Sequence, residues 1–100
     1  MLLKLRKLAM RVNWNHAKSE LLKRTRGIGF DDALGIFELP YVVQTKNDDP
    51  EQYKAIGFSK GGDLISLIVE IRHDHQGEYE WFVTLWKATP AEVMLYEQSS

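Results

Sequence analysis

Four residues of this 100-residue chain have the types that chemistry at an RNA phosphate requires: Lys54, Lys87, Glu92 and Tyr96. A lysine beside a scissile phosphate steadies the charge that develops there, and a tyrosine or a glutamate can move protons. Gripping single-stranded RNA calls for a second set, cations along the backbone and aromatic faces for the bases. Lys18, Lys23, Arg26, Arg72 and Trp86 are the candidates for that work. Each carries an ordinary reading too. Trp81, Phe82 and Tyr96 serve equally well as plain core. Thr89-Pro90-Ala91-Glu92 has the form of a capping box with proline at the first helical position, which by itself explains Thr89 and Glu92.

Other groupings promise less. His73-Asp74-His75 has a metal-like composition, but no third ligand accompanies it and Gln76-Gly77 follows, so it reads as an exposed hairpin tip. Lys60-Gly61-Gly62 lacks the spacing of a phosphate-binding P-loop and reads as a tight turn. Asp48-Asp49-Pro50-Glu51 reads as a loop rather than a cation site. The sequence therefore calls for no metal and no cofactor. With no cysteine there is neither a disulfide framework nor a thiolate nucleophile.

Those side chains need a scaffold, and 100 residues suffice for one domain with one core. The N-terminal apolar residues are broken by Lys4, Arg6 and Lys7, so neither a signal peptide nor a membrane span is read, and a cytoplasmic location is expected. The net charge of −1 conceals an asymmetry. Residues 1–26 hold eight bases and one acid (+7), and residues 27–100 hold five bases and thirteen acids (−8). A basic head on an acidic body points to a nucleic-acid or acidic partner at one end, or to a solvated helix face.

Periodicity supplies the elements. Leucines 2, 5 and 8 have helical spacing, so residues 1–10 are expected to form a helical extension ahead of a single domain over 11–98. A short strand or extended entry then leads to a helix capped by Asn13 or Asn15, burying Ala17, Leu21 and Leu22 and ended by Gly27. A second short helix begins at Asp31-Asp32 and stops before Pro40, with Ala33, Leu34, Ile36 and Phe37 facing the core. The period changes to two from Tyr41, giving strands near 41–45, 53–59, 64–72 and 79–87, and a helix over 90–98 closes the chain. On the third strand Ile65, Leu67, Val69 and Ile71 form a core face, and the opposite face is half polar and partly open. On the fourth, Trp81, Val83, Leu85 and Lys87 are expected opposite Phe82, Thr84 and Trp86. The expected fold class is α+β: two N-terminal helices, a four-stranded antiparallel sheet and a C-terminal helix.

Several stretches, in order, resemble the BrnT-type toxins of bacterial type II toxin–antitoxin modules. They are Val12-Asn13-Trp14-Asn15 with Ala17-Lys18; Gly27-Ile28-Gly29-Phe30-Asp31-Asp32-Ala33 with Phe37 and Pro40; Ile56-Gly57-Phe58-Ser59 with Gly62; and Ala88-Thr89 with Glu92 and Leu95-Tyr96-Glu97. The resemblance runs from about residue 11 to 97, and family chains usually begin near Met10. It implies a RelE-like fold and a metal-independent endoribonuclease that inhibits translation. It also implies a cognate DNA-binding antitoxin as protein partner in a hetero-oligomer, RNA as substrate and no membrane. Tyr53, Trp86 and Val93 stand where the family usually carries arginine. Arginine forks hold phosphate in two-point contacts that these side chains do not make. The alternative expectation is a catalytically degenerate relative that works as a protein-binding module.

Overall fold

The computed structural model describes residues 11–99. The expected helix over 2–9 lies outside them. Elements follow in the order β1 (Val12–Trp14), α1 (His16–Arg26), α2 (Phe30–Ala33) running into a 3-10 turn (Leu34–Glu38), β2 (Val42–Asp48), β3 (Glu51–Phe58), β4 (Leu64–Asp74), β5 (Gly77–Lys87) and α3 (Pro90–Ser99). The class is α+β, but the sheet has five strands, in the order β1-β5-β4-β3-β2. The four long strands form an antiparallel meander, and β1 joins its far edge parallel to β5, pairing Val12 with Glu80 and Trp14 with Phe82. The entry segment takes the strand reading and joins the sheet as a fifth member, so the expected four-stranded antiparallel sheet is corrected to a mixed one.

Local signals account for the helix ends. Asn15 caps α1, its side-chain oxygen accepting from Lys18 N at 2.9 Å, and Gly27 ends the helix in the left-handed region at φ 78°. The expected stripe is wrong in part, because Ala17 is exposed and Leu21 keeps 49% of its surface in water. Ser19 and Leu22 face inward instead. Ser19 Oγ accepts the backbone N–H of Phe30 at 2.8 Å, which fixes α1 against α2. Asp32 Oδ2 takes Lys23 Nζ at 2.6 Å and Gly29 N at 3.0 Å. Burial raises its pKa, but those two contacts outweigh that and leave it lowered overall.

The strands run further than their apolar cores indicate. Lys46, Asn47 and Asp48 belong to β2, and only Asp49-Pro50, joined by a cis peptide bond, separates it from β3. His75 and Gln76 alone separate β4 from β5, and His73, Asp74 and His75 are exposed there as expected. Arg11 grips Asp74 through two 2.8 Å hydrogen bonds, and His73 contacts Glu78.

The sheet divides the molecule into two layers. Val43, Tyr53, Ala55, Ile65, Leu67, Val69, Ile71, Phe82 and Leu85 pack with Leu22, Ile28, Phe30, Ala33 and Ile36 on one side, the α1 face. On the other side α3 crosses the sheet end, where Tyr96 meets Phe58 edge-on with ring centroids 5.4 Å apart. Among the described residues no helix is long and apolar enough to cross a membrane.

Candidate functional site

A bulge in β5 decides what the two faces present. Ile68 pairs with Thr84 while Val69 pairs with Phe82, so Val83 is an extra residue. Strict alternation would send Phe82 and Leu85 to opposite faces. The bulge puts both in the core, where their exposures are 1% and 0%. It therefore sends Trp81, Thr84 and Trp86 to the α3 face together. The expected grouping of Trp81 with Leu85 and Lys87 is corrected by this one inserted residue.

Three rows of cross-strand partners build the α3 face. The row under α3 runs Val42, Ile56, Ser66, Trp86, the middle row Gln44, Lys54, Ile68, Thr84, and the outer row Asn47, Gln52, Glu70, Trp81. A groove of about 320 Å³ follows the middle row, lined by Gln44, Thr45, Lys46, Lys54, Ile68 and Trp86.

Glu92 is the hub at its inner end. It is 7% exposed, and both carboxylate oxygens are engaged. Oε2 accepts from Lys54 Nζ at 2.8 Å, while Oε1 accepts from Trp86 Nε1 at 3.0 Å and from Thr89 N at 2.9 Å. The return bond of the capping box, Glu92 N to Thr89 Oγ1, measures 3.3 Å. Burial pushes the Glu92 pKa up, but the Lys54 ammonium, the Thr89 N–H, the nearby Ser66 hydroxyl and the Trp86 indole together bring it down to about 2. Ser66 Oγ contributes by proximity; fully buried, it makes no well-formed hydrogen bond of its own. A carboxylate so engaged holds its neighbours in place, and as a general base at neutral pH it is far too weak.

The other charges on this face are likewise matched. Arg72 Nε donates to Glu70 Oε2 at 2.6 Å, its guanidinium lies 4.5 Å from the Trp81 ring centre, and Gln52 Nε2 donates to Glu70 Oε1 at 2.7 Å. Those bonds from Gln52 and Arg72 hold the Glu70 pKa below the usual carboxylate range. Lys46 differs. It is the bulged residue of β2, exposed at the groove mouth, and among the described residues it has no carboxylate partner.

The candidate residues are thus divided. Lys54, Glu92, Trp86 and Arg72 lie on the α3 face. Tyr96 lies on α3 itself, and its hydroxyl donates to Pro40 O at 2.8 Å. Lys87 pairs with fully buried Ile65, which directs it to the α1 face. Arg26 is on that side too, donating from its guanidinium to Leu85 O. Lys18 and Lys23 belong to α1, and Lys23 is held by Asp32. Two groove residues, Gln44 and Lys46, escaped sequence reasoning: Gln44 lay in the expected strand 41–45 with nothing to mark a role, and Lys46 lay beyond its expected end, where KND does not distinguish a strand edge from a loop. Among the described residues no group of three His, Cys, Asp or Glu could hold a metal ion.

No family model and no curated protein sequence matches the chain.

Proposed function

We propose that this chain is the toxin component of a toxin–antitoxin pair of the BrnT type, acting on RNA through its α3 face to inhibit translation, and held in check by a DNA-binding antitoxin protein. One observation carries the reading: a chain whose residues 27–100 sum to −8 nevertheless gathers Lys46, Lys54 and Trp86 in one groove on an open sheet face, with Arg72 stacked on Trp81 further out on the same face. The stretches that resemble the family are also the ones that join the layers. Gly29 and Asp32 connect to α1, Gly57 passes under Ile36, and Glu92 ties α3 to β3 and β5. In this reading Lys54 is the cation that meets the phosphate. Glu92 is a positioning residue, and Tyr96 fastens α3.

A second reading is favoured by a specific observation. The groove's carboxylate has both oxygens occupied, and Lys54 and Arg72 each already face a carboxylate. RNA would have to displace Glu92 and Glu70 to use them, and no lining residue is free to act as base. Those features suit a non-catalytic relative that binds a protein.

Induced expression in a bacterial host separates the two. Growth and total RNA are followed for wild type, Lys54→Ala and Lys87→Ala, with soluble folded protein confirmed for each. Arrest with RNA fragmentation that is lost in Lys54→Ala and kept in Lys87→Ala is the expected result. Healthy growth with intact RNA in wild type overturns the ribonuclease and leaves the protein-binding reading.

A further inference from the structure

We infer that the groove across the middle row of the α3 face is a base-reading subsite that takes one adenine of single-stranded RNA, together with its adjoining phosphate. This rests on RNA being the target in the reading above, and names which nucleotide the face selects.

Three surfaces of the groove match three parts of a nucleotide. The floor is Ile68, 2% exposed and apolar, and the inner wall is the half-buried Trp86 indole. Trp86 is fixed by its hydrogen bond to Glu92, so its ring enters as a preset plane. A rigid indole over an apolar floor suits a flat, uncharged ring, because every base has a π face to stack. The second surface is the Gln44 side chain on edge strand β2, half-buried and lining the groove. Among the described residues its amide has no hydrogen-bond partner, so both its donor and its acceptor are available. A side-chain amide offers one donor and one acceptor side by side, which matches the N6 amino group and N7 of adenine. The third is Lys46. The β2 bulge leaves it outside the strand pairing, exposed at the mouth and without a carboxylate partner among the described residues. A free ammonium beside a stacking slot is a phosphate contact.

Charge supports the same occupant. The groove holds two cations, Lys46 and Lys54, against the single carboxylate of Glu92, which leaves it net positive within an acidic body. An aromatic side chain of a protein partner would fill the floor but would leave the Gln44 amide and the Lys46 ammonium without matching groups.

Quenching of tryptophan fluorescence tests this on the purified full chain. The probes are the pentaribonucleotides UUAUU and UUUUU, free 5′-AMP and N-acetyltyrosinamide. The proteins are wild type, Gln44→Ala, Lys46→Ala and, as a control on an exposed cation of α1, Arg24→Ala, each checked for folding by thermal melting. Wild type is expected to bind UUAUU about tenfold more tightly than UUUUU. Gln44→Ala should remove that preference while retaining weak binding to both. Lys46→Ala should weaken both RNAs about tenfold and flatten their salt dependence. Arg24→Ala should match wild type. Equal affinity for the two RNAs in wild type, a preference that survives Gln44→Ala, or salt dependence untouched by Lys46→Ala overturns the inference. So does saturation by N-acetyltyrosinamide at the RNA's concentration, which marks a peptide slot, or binding of AMP without binding of UUAUU, which marks a free-nucleotide site. RNA binding of the predicted kind in a chain that leaves cellular RNA intact overturns the ribonuclease but keeps the subsite. Arrest with RNA cleavage and no adenine preference does the reverse.

Discussion

Replacing Glu92 with glutamine isolates the hub's charge, because the side chain keeps its shape and can still accept from Trp86 Nε1 and Thr89 N. The carboxyl titrates at about 2 in the fold against an ordinary 4.5. That difference corresponds to about 3 kcal/mol of native-state preference for the ionised form. Glutamine imitates the protonated acid, so Glu92→Gln is expected to lose up to about 3 kcal/mol at pH 7. The figure is an upper one, since Lys54 keeps 24% of its side chain in water and regains hydration when its partner is gone. The sign follows from a depressed pKa. The stabilisation is fully present above pH 4.5 and disappears as the pH falls through 2. Urea denaturation of both proteins between pH 2 and pH 7 measures this. The gap in unfolding free energy should be widest at pH 5–7 and should close towards pH 2. Taking the difference between the two proteins cancels the acid titration of Asp74, Glu70 and Asp32, which both share. A gap of constant size across that range, or one below about 0.5 kcal/mol at pH 7, would refute the hub as a charge-based device; surface pairs already reach that lower figure.

Three further substitutions, one of them a control, probe what sets α1, α2 and the 3-10 turn in place. A Cβ on Gly35 would stand 2.5 Å from Lys60 N and 2.8 Å from Ser59 C, both backbone, whereas on Gly61 its nearest neighbour is Ser59 Oγ at 3.9 Å. Gly35→Ala should therefore cost about 3 kcal/mol or fail to fold, and Gly61→Ala should melt within a few degrees of wild type; similar losses for the two would refute the close approach. Ser19→Ala removes the acceptor of the buried Phe30 N–H and should cost about 1–3 kcal/mol by urea denaturation, with no added pH dependence.

What could be read from sequence, and what could not, divides by distance along the chain. Asn15, Gly27 and the Thr89–Glu92 box act within four residues of themselves, and each does in the fold what its spacing announces. Gly62, at φ 87°, likewise sits in the turn that Lys60-Gly61-Gly62-Asp63 marks. A short strand at β1 was one of two readings, but its place in the sheet was illegible because three residues carry too little pattern and its partner Glu80–Phe82 lies over sixty residues away. The inward turn of Ser19 was hidden for the same reason, since its purpose is a hydrogen bond to Phe30 in the next element. The site suffered most from the bulge at Val83. WFVTLW is apolar or β-favouring throughout, so hydrophobicity cannot tell which residues point where. The available signal was one of spacing. Phe82 and Leu85 stand three apart, and two residues three apart in a regular strand cannot both enter one core. Had both been required to be buried, a bulge between them would have followed, and with it the pairing of Trp81 and Trp86 on one face. Lys87 would then have been assigned with Leu85 to the α1 side, away from Lys54 and Glu92. The expected catalytic set thus drew on both faces of the sheet because a single extra residue shifts every side chain after it.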